Sequence, residues 1–595
     1  MIFGKYLNKY YKKYFLIILL GVFAVIAVDY IQTLLPEFLG DVVTLVSSNS
    51  HVTTNDILPI VKDVVIIGII MFVGRFLWRI CLFYFSDSTK LGLRHDMFLK
   101  AERLSQTFYH ETKVGSIMNR FTNDLDDIEE FIGFGLVMII DSSFLSLLIL
   151  YKMFKVNVVL SLFTLLPISL IVIWGLLVEK TMADKWKDRQ DSFDKVYDFS
   201  QETFTGIRVI KAFVKEIHEL KAFSKVAQNS ADKNIDFAKT NISFDVAIEI
   251  IIGIIFALLN GFGGYVVYKT VMHEPLIIFN QVMSMSAGEL VTFIGYFDDL
   301  IWPLIALGQI IPMRSRAKTA LSRISEFLDE EEDIQNPENA IVLKDIKGKI
   351  TFNNFSFSYP KTTAHSINNV SLTINPGELV GIVGKIGSGK TTLVNSLLRI
   401  YNVPKGSILI DDYDIMDVDI KSLRDVIAYV PQDNFLFSDK IKNNISFSNR
   451  EASYESLKAA ARFAGVDDNI EAFEEKYDTM VGERGTTLSG GQKQRISIAR
   501  AYMKDSPIMI LDDSVSAVDT KTEEVILNNI REKRKGKTTI LIASRVSTVS
   551  KLDKIIVLNN GELEAFGTPQ ELLKTSKTYE RMVYLQKLES EVQGA

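Results

Sequence analysis

Long apolar runs recur along the first half of the chain and then stop. A helix needs about 20 mostly apolar residues to cross a bilayer. Six stretches meet that length: 15–39, 57–85, 131–150, 158–178, 247–271 and 290–312. After Pro312 the apolar density falls and no further span appears. Residues 1–13 are basic and aromatic, which suits an amphipathic helix lying in the membrane interface. A cleavable leader is not expected, because the first apolar run continues past Tyr30 with Asp29 inside it.

The connections between spans are unequal. Those after the second and fourth spans, 87–128 and 180–240, are long and rich in Lys and Arg. Positive residues mark the cytoplasmic side, which places both loops, both termini and everything after Pro312 in the cytosol. Lys152 and Lys155 fall on the opposite side and run against that rule. The segment 180–240 keeps helical spacing with few Pro or Gly, and fits two helices of about 30 residues, each about 45 Å long, joined by a turn. A structureless loop of that length would be unusual.

The pattern then changes. An acidic stretch, LDEEEDIQNPENA (328–340), gives way to short β-type runs alternating with helices, such as ELVGIVG (378–384) and PIMILDD (507–513). That alternation predicts a sheet flanked by helices. The expected organisation is a six-helix all-α transmembrane domain over 1–327, a linker over 328–342, and an α/β domain over 343–595.

Composition agrees with a chain of two characters. Of 595 residues, 48% are hydrophobic, yet 23% are charged; the mean hydropathy is +0.17. A net charge of −6 gives no sign of a nucleic-acid partner. Cys81 is the only cysteine, so no internal disulfide can form.

The chemistry sits in the second domain. Gly384, Lys385, Ile386, Gly387, Ser388, Gly389, Lys390 and Thr391 form a complete P-loop between an apolar strand and the helix that opens TTLVNSLLRIY. The glycines let the backbone wrap phosphates, the helix N-terminus adds donors, Lys390 reaches the outer phosphates, and Thr391 suits Mg²⁺. Further on, Leu488-Ser489-Gly490-Gly491-Gln492 precedes an apolar strand ending in Asp512, the place of a second Mg²⁺-associated carboxylate.

With these motifs the chain resembles the ABC transporter family. LSGGQ (488–492) resembles the family signature, and PIMILDD its Walker B strand. Gln432 matches the Q-loop, and Tyr359 the aromatic that stacks on adenine. SAVD (516–519) matches the D-loop, and VGERG (481–485) a segment found before the signature in exporters. FYHETKVGSIMNRFTNDLDDI (108–128) and ETFTGIRVIKAFVKE (202–216) are similar to the two cytoplasmic loops of exporters, and AGELVTFIGYFDDLIWPL (287–304) to their sixth helix. The resemblance implies a dimer of half-transporters in a lipid bilayer, with short coupling helices in the two loops. It also implies that each ATP would be held between one P-loop and the opposite signature. Tyr359, the P-loop residues with Thr392, Gln432 and Asp512 would bind ATP; Thr391, Gln432 and Asp512 would hold Mg²⁺; Ser489, Gly490, Gly491 and Gln492 would face the partner's ATP.

Two positions depart from the family. The residue after Asp512, usually Glu, is Asp513. The switch histidine is replaced by Ser544 in IASRVST (542–548). A carboxylate about 1 Å out of place can slow a reaction about 10²-fold, and Ser cannot donate as an imidazole does. Hydrolysis is therefore expected to be impaired at this chain's own P-loop while ATP binding and the signature remain intact. That pattern resembles the degenerate subunit of heterodimeric multidrug exporters of Gram-positive bacteria, exporting amphipathic drugs or lipid-like compounds across the cell membrane. Two rivals stand beside it: a homodimeric lipid or peptide exporter, and a nucleotide-gated regulatory subunit. A soluble ABC protein is excluded by the fused membrane spans.

Charges within the spans are costly and tend to face a cavity or a partner. Arg75 and Arg79 share a face of the second span, and Asp298 and Asp299 lie in the sixth. They are candidate substrate-cavity or gating residues, or else a structural ion pair or interfacial positions. Asp29, Asp141 and Glu249 pose the same question.

Overall fold

The computed structural model describes residues 4–48, 52–274, 276–278, 281–362, 364–482, 485, 487–516, 518–543 and 545–593. It contains two compact units, one of Met1–Met97 with Met118–Leu328, the other of Phe98–Ile117 with Asp329–Ala595.

The first unit is helical. Helix α1 (Lys5–Lys13) buries Leu7 and Tyr10 and leaves most of its lysines outward; Tyr10 Oη and Lys9 both donate to Asp96. The first span is longer than expected and consists of α2 (Phe15–Gln32) and α3 (Leu35–Ser48). The break falls where Pro36 has no N–H to return to Gln32, one turn back. Helix α4 (Thr54–Arg103) is continuous for 50 residues. The short helices α5 (Gln106–Glu111), which belongs to the second unit, and α6 (Val114–Phe121), whose first turn does, follow in the chain. The third span is assembled from α7 (Asn123–Ile132), α8 (Phe134–Ile140), a π-helical turn at Asp141–Leu145, and α9 (Ser146–Val156).

Helix α10 (Val158–Thr205) runs 48 residues without interruption from an N-cap in which Asn157 accepts from the Leu160 amide. The side chains of residues 171, 172, 175, 176 and 179, inside the expected fourth span, are outside the description. The segment 180–240 is helical as expected, but its two long helices are the uninterrupted continuations of spans. They are joined through a short helix, α11 (Ile207–Ala212), rather than a bare turn. Helix α12 (Glu216–Leu258) packs along α10, with a Lys233–Asp188 ion pair at 2.9 Å and an edge-to-face Trp186–Phe237 contact. A second π-helical turn, Leu259–Gly263, leads to α13 (Gly264–Val271), a hairpin of β1 (Leu276–Ile278) and β2 (Gln281–Met283), and α14 (Ala287–Asp329).

Five described stretches are long and apolar enough to cross a membrane, and Val158–Leu170 adds a shorter apolar helix. In α4 and in the Glu216–Val271 stretch the apolar side chains point mostly outward, with only 6% and 11% of the most apolar segment buried, whereas 56% is buried in Val114–Val156. Such a surface has no favourable place in water and belongs against lipid. Between α3 and α14 the backbones touch. A Cβ on Gly288 would lie 2.1 Å from the Gly40 carbonyl oxygen, so only glycine fits the crossing. Past the apolar zone, Arg316 pairs with Asp127 and Glu130, and Arg323 grips the buried Asp124 through two nitrogens, fastening α14 to α7.

The second unit carries two sheets. β3 (Ile350–Phe357), β4 (Ile367–Ile374), β6 (Ile408–Ile410) and β7 (Tyr413–Asp414) form an antiparallel sheet in the order β4-β3-β6-β7. The main sheet joins β5 (Leu379–Gly384), β8 (Ile427–Val430), β9 (Ile508–Asp512), β10 (Thr538–Ile542), β11 (Lys554–Asn559) and β12 (Glu562–Gly567) in the order β12-β11-β5-β10-β9-β8. Its central pairings are parallel. β9 and β10 are buried at every position, as strands covered on both faces must be. Apolar clusters fill both faces, around Ile496, Leu511 and Leu541 on one and Ile382, Leu397 and Ile510 on the other.

Candidate functional site

The P-loop leaves the C-terminal end of β5 and enters the helix Lys390–Leu397. Two glycines are obligatory there. Gly384 has φ +157°, and a Cβ would stand 2.3 Å from the Leu558 carbonyl oxygen; Gly389 has φ +92°, and a Cβ would stand 2.6 Å from Ile367 Cδ1 and 2.7 Å from the Ser366 carbonyl oxygen. Ile386 stands fully outward at the tip, and Ser388 is buried at the base, where its carbonyl accepts from the Gly561 amide. Lys390 Nζ donates to the carbonyls of Gly384 (3.0 Å) and Lys385 (2.9 Å), folding its ammonium across the loop. Burial pulls the Lys390 pKa down, opposed by Asp513 and Asp512.

Thr391 Oγ1 donates to Asp512 Oδ1 at 3.3 Å. Two oxygens on adjacent positions of one Mg²⁺, each about 2.1 Å from it, would be separated by about 3 Å, so the pair fits that ion. Asp512 is 1% exposed, and burial raises its pKa, with the Thr391 bond opposing. Tyr429 Oη also donates to Asp512, at 3.5 Å. Tyr359 Oη lies 2.9 Å from Thr392 Oγ1, and its ring meets Tyr401 edge-on, which holds it beside the P-loop helix. Gln432 is exposed, and its side chain makes no hydrogen bond among the described residues; it is not gathered with Thr391 and Asp512 here.

Asp513 is pinned through its backbone. It has φ +47°, its amide donates to the Ile542 carbonyl (3.0 Å), and its own carbonyl accepts from Gln494 Nε2 (2.9 Å) and Ser516 Oγ (2.8 Å). Ser544, Ala517 of the D-loop stretch, and Glu483, Arg484 and Thr486 lie outside the described residues. Asp519 caps the helix Thr520–Lys533 by accepting from the Thr522 amide.

The signature opens the helix Gly490–Met503. Ser489 and Gln492 form a reciprocal capping box: Ser489 Oγ accepts from the Gln492 amide (3.3 Å), and Gln492 Oε1 accepts from the Ser489 amide (2.9 Å). This fixes the helix start while Ser489 and Gly490 remain exposed, and Gly491 half-exposed, at its positive end. Sequence reasoning missed Tyr429 and Gln494. Their signals were a tyrosine inside an otherwise apolar buried strand and a glutamine on the core-facing side of the signature helix.

Two family models match the chain, the ABC transporter transmembrane region over residues 18–304 and the ABC transporter model over residues 367–516. A probable multidrug resistance ABC transporter ATP-binding/permease protein of Bacillus subtilis (strain 168), YheI, is 32% identical over 99% of this chain and 98% of its own length. The chain belongs to the ABC transporter family. The multidrug resistance-like ATP-binding protein MdlA of Escherichia coli (strain K12) is 34% identical over 95% of this chain and 93% of its own. A solved ABC exporter, a bacterial Atm1-family protein with ATP bound, superposes with a TM-score of 0.76 at 26% identity, covering 98% of both chains. The protein is thus an ABC transporter of the exporter type with fused membrane and ATP-binding domains, a membrane protein that couples ATP hydrolysis to transport.

In this ABC exporter the candidate cavity charges do not form one group. Arg75 Nη2 donates to Gln32 Oε1 (3.1 Å), and Gln32 Nε2 donates to Asp299 Oδ1 (2.9 Å). Arg79 instead stacks over the Trp78 ring, and Asp298 is exposed. Asp141 accepts from Trp302 Nε1 at 2.9 Å.

Proposed function

We propose that this chain is the degenerate subunit of a heterodimeric exporter of amphipathic compounds, binding Mg²⁺-ATP at its own P-loop but hydrolysing it slowly, and lending an intact signature to its partner's ATP. The observation that carries this is Asp513. Its backbone is anchored on both sides, so the missing methylene cannot be recovered by a shift of the main chain. The carboxylate then falls about 1 Å or more short of a Glu, a displacement able to lower the rate about 10²-fold. Ser544 in the histidine position compounds the loss. The binding side chains Tyr359, Lys390, Thr391 and Asp512 and the capped signature helix are all retained, which supports loss of turnover without loss of binding. Mg²⁺ would sit between Thr391 and Asp512 and neutralise phosphate charge there. Gln432 and the remaining P-loop positions complete the proposed ATP site, with the termini in the cytosol and the chain in a bacterial cell membrane.

The test is the purified full-length chain alone in lipid nanodiscs. It is expected to bind ATP and to hydrolyse it very slowly. Robust turnover by a verified homodimer would overturn the degenerate-site assignment and favour a homodimeric exporter.

A further inference from the structure

Four spans bring ionisable side chains together in the first unit. Asp29 comes from α2, Arg75 from α4, Asp141 from the π-helical turn of the third span, and Asp299 from α14. Asp29 is within electrostatic reach of both Asp141 and Arg75, and Arg75 also acts on Asp141 and Asp299. Among the described residues, three carboxyl groups therefore share the Arg75 guanidinium, and Asp298 adds a further negative neighbour beside Asp299. The hydrogen bonds do not resolve this imbalance. Asp299 is met by the neutral Gln32 amide and Asp141 by the Trp302 indole. Arg75 gives its bond to Gln32 rather than to an acid.

Asp29 is left over. It is 5% exposed, and its Oδ2 is enclosed without a hydrogen-bond partner among the described residues. A network serving only to hold helices together would be expected to pair such a group, because an unpartnered carboxylate at membrane depth is strongly unfavourable. Trp302, bonded to Asp141, is 42% exposed, and an indole is a ring of the kind that attracts cations. The π-helical turn inserts Asp141 into this cluster, and such turns are frequent at functional sites.

We propose that this cluster is a cation subsite of the transport path, in which Asp29 receives the positively charged head of an amphipathic substrate. The proposal rests on the exporter reading and adds to it the charge of the substrate and the residue that recognises it. Asp141 and Asp299 hold the potential negative around the head group, Trp302 covers it, and Arg75 limits the surplus charge when no substrate is bound.

The experiment uses tetraphenylphosphonium and tetraphenylborate, ions of nearly equal shape and opposite charge. Binding of each to the full-length chain in nanodiscs is measured without nucleotide, after subtraction of protein-free nanodiscs. The native chain is expected to prefer the phosphonium. Asp29→Asn should weaken phosphonium binding about tenfold or more, and Asp29→Glu should retain most of it. Arg75→Gln, which removes the competing cation, should strengthen it; a misfolded chain cannot mimic that gain. Equal binding of the two ions by the native chain would overturn the proposal. So would an unchanged phosphonium affinity in Asp29→Asn, or weaker binding in Arg75→Gln. Because no nucleotide is present, a competent homodimer would refute the degenerate-site reading and leave this result untouched.

Discussion

Replacing Asp513 by Glu and Ser544 by His should restore hydrolysis at this chain's own P-loop. The geometry sets the scale. The Asp513 amide is held by the Ile542 carbonyl at 3.0 Å, and its carbonyl is held by Gln494 and Ser516 at 2.9 and 2.8 Å. The main chain stays fixed, so one methylene advances the carboxylate by about 1 Å or more. A misplacement of that size is worth about 10²-fold in rate, or about 2.7 kcal/mol of barrier. Against this, φ +47° at position 513 suits Asp better than Glu, and that strain takes back part of the gain. The expected result is a rise of about 10- to 10²-fold for the double variant, with a smaller rise for Asp513→Glu alone. The assay is steady-state ATPase in a complex whose partner P-loop lysine has been removed, so that only this site can turn over. An unchanged rate with ATP binding intact would refute the argument from reach.

Three further outcomes follow from particular contacts. Gly389→Ala would place a methyl 2.6 Å from Ile367 Cδ1 at a backbone φ of +92°; ATP binding, measured by fluorescent-nucleotide titration, should weaken about tenfold or more through lost loop geometry. Thr568→Ala breaks the capping box that Thr568 makes with Glu571; it should cost about 1 kcal/mol and lower the melting temperature of the ATP-binding unit by about 2–4 °C, with ATPase unchanged. Arg323→Ala strands Asp124, which is 1% exposed, although Arg323 itself is 43% exposed. The loss should lie near or below the low end of the about 3–5 kcal/mol seen for broken buried pairs, read by thermal inactivation, with Arg323→Lys recovering part of it.

Local signals carried most of the nucleotide site into the sequence. A strand, three glycines, a lysine and a helix start are consecutive residues, so the P-loop needs no tertiary knowledge to find. The signature was legible for the same reason, and its Ser489–Gln492 spacing already contained the capping box. Tyr429 and Gln494 were hidden because their importance comes from pairing across sequence: β8 lies beside β9 only once the sheet is assembled. The order β12-β11-β5-β10-β9-β8 is likewise set by long-range parallel pairing rather than by any local pattern. In the membrane part, apolar length gave the spans but not their ends. Helices α4, α10 and α12 continue well beyond their apolar zones, since nothing in their polar extensions breaks a helix. Helical spacing put Arg75 and Arg79 on one face, yet they meet different partners: Gln32 of α2 for one, and the adjacent Trp78 ring of the same helix for the other. The isolation of Asp29 was invisible for the same reason, because it depends on what three other spans fail to offer.

The central claim is a division of labour between P-loop and signature, and a two-variant comparison tests it most directly. In the two-chain complex, Gly490→Asp puts a negative charge at the exposed start of the signature helix, where the proposed partner ATP presents its γ-phosphate. Lys390→Ala disables only this chain's own site. Assembly of both variants is verified first, and ATPase and transport are then measured side by side. The account predicts near-abolition of both activities by Gly490→Asp and survival of a substantial fraction of each in Lys390→Ala. Equal severity of the two variants in assembled complexes would contradict it, and the two ATP sites would then be equivalent.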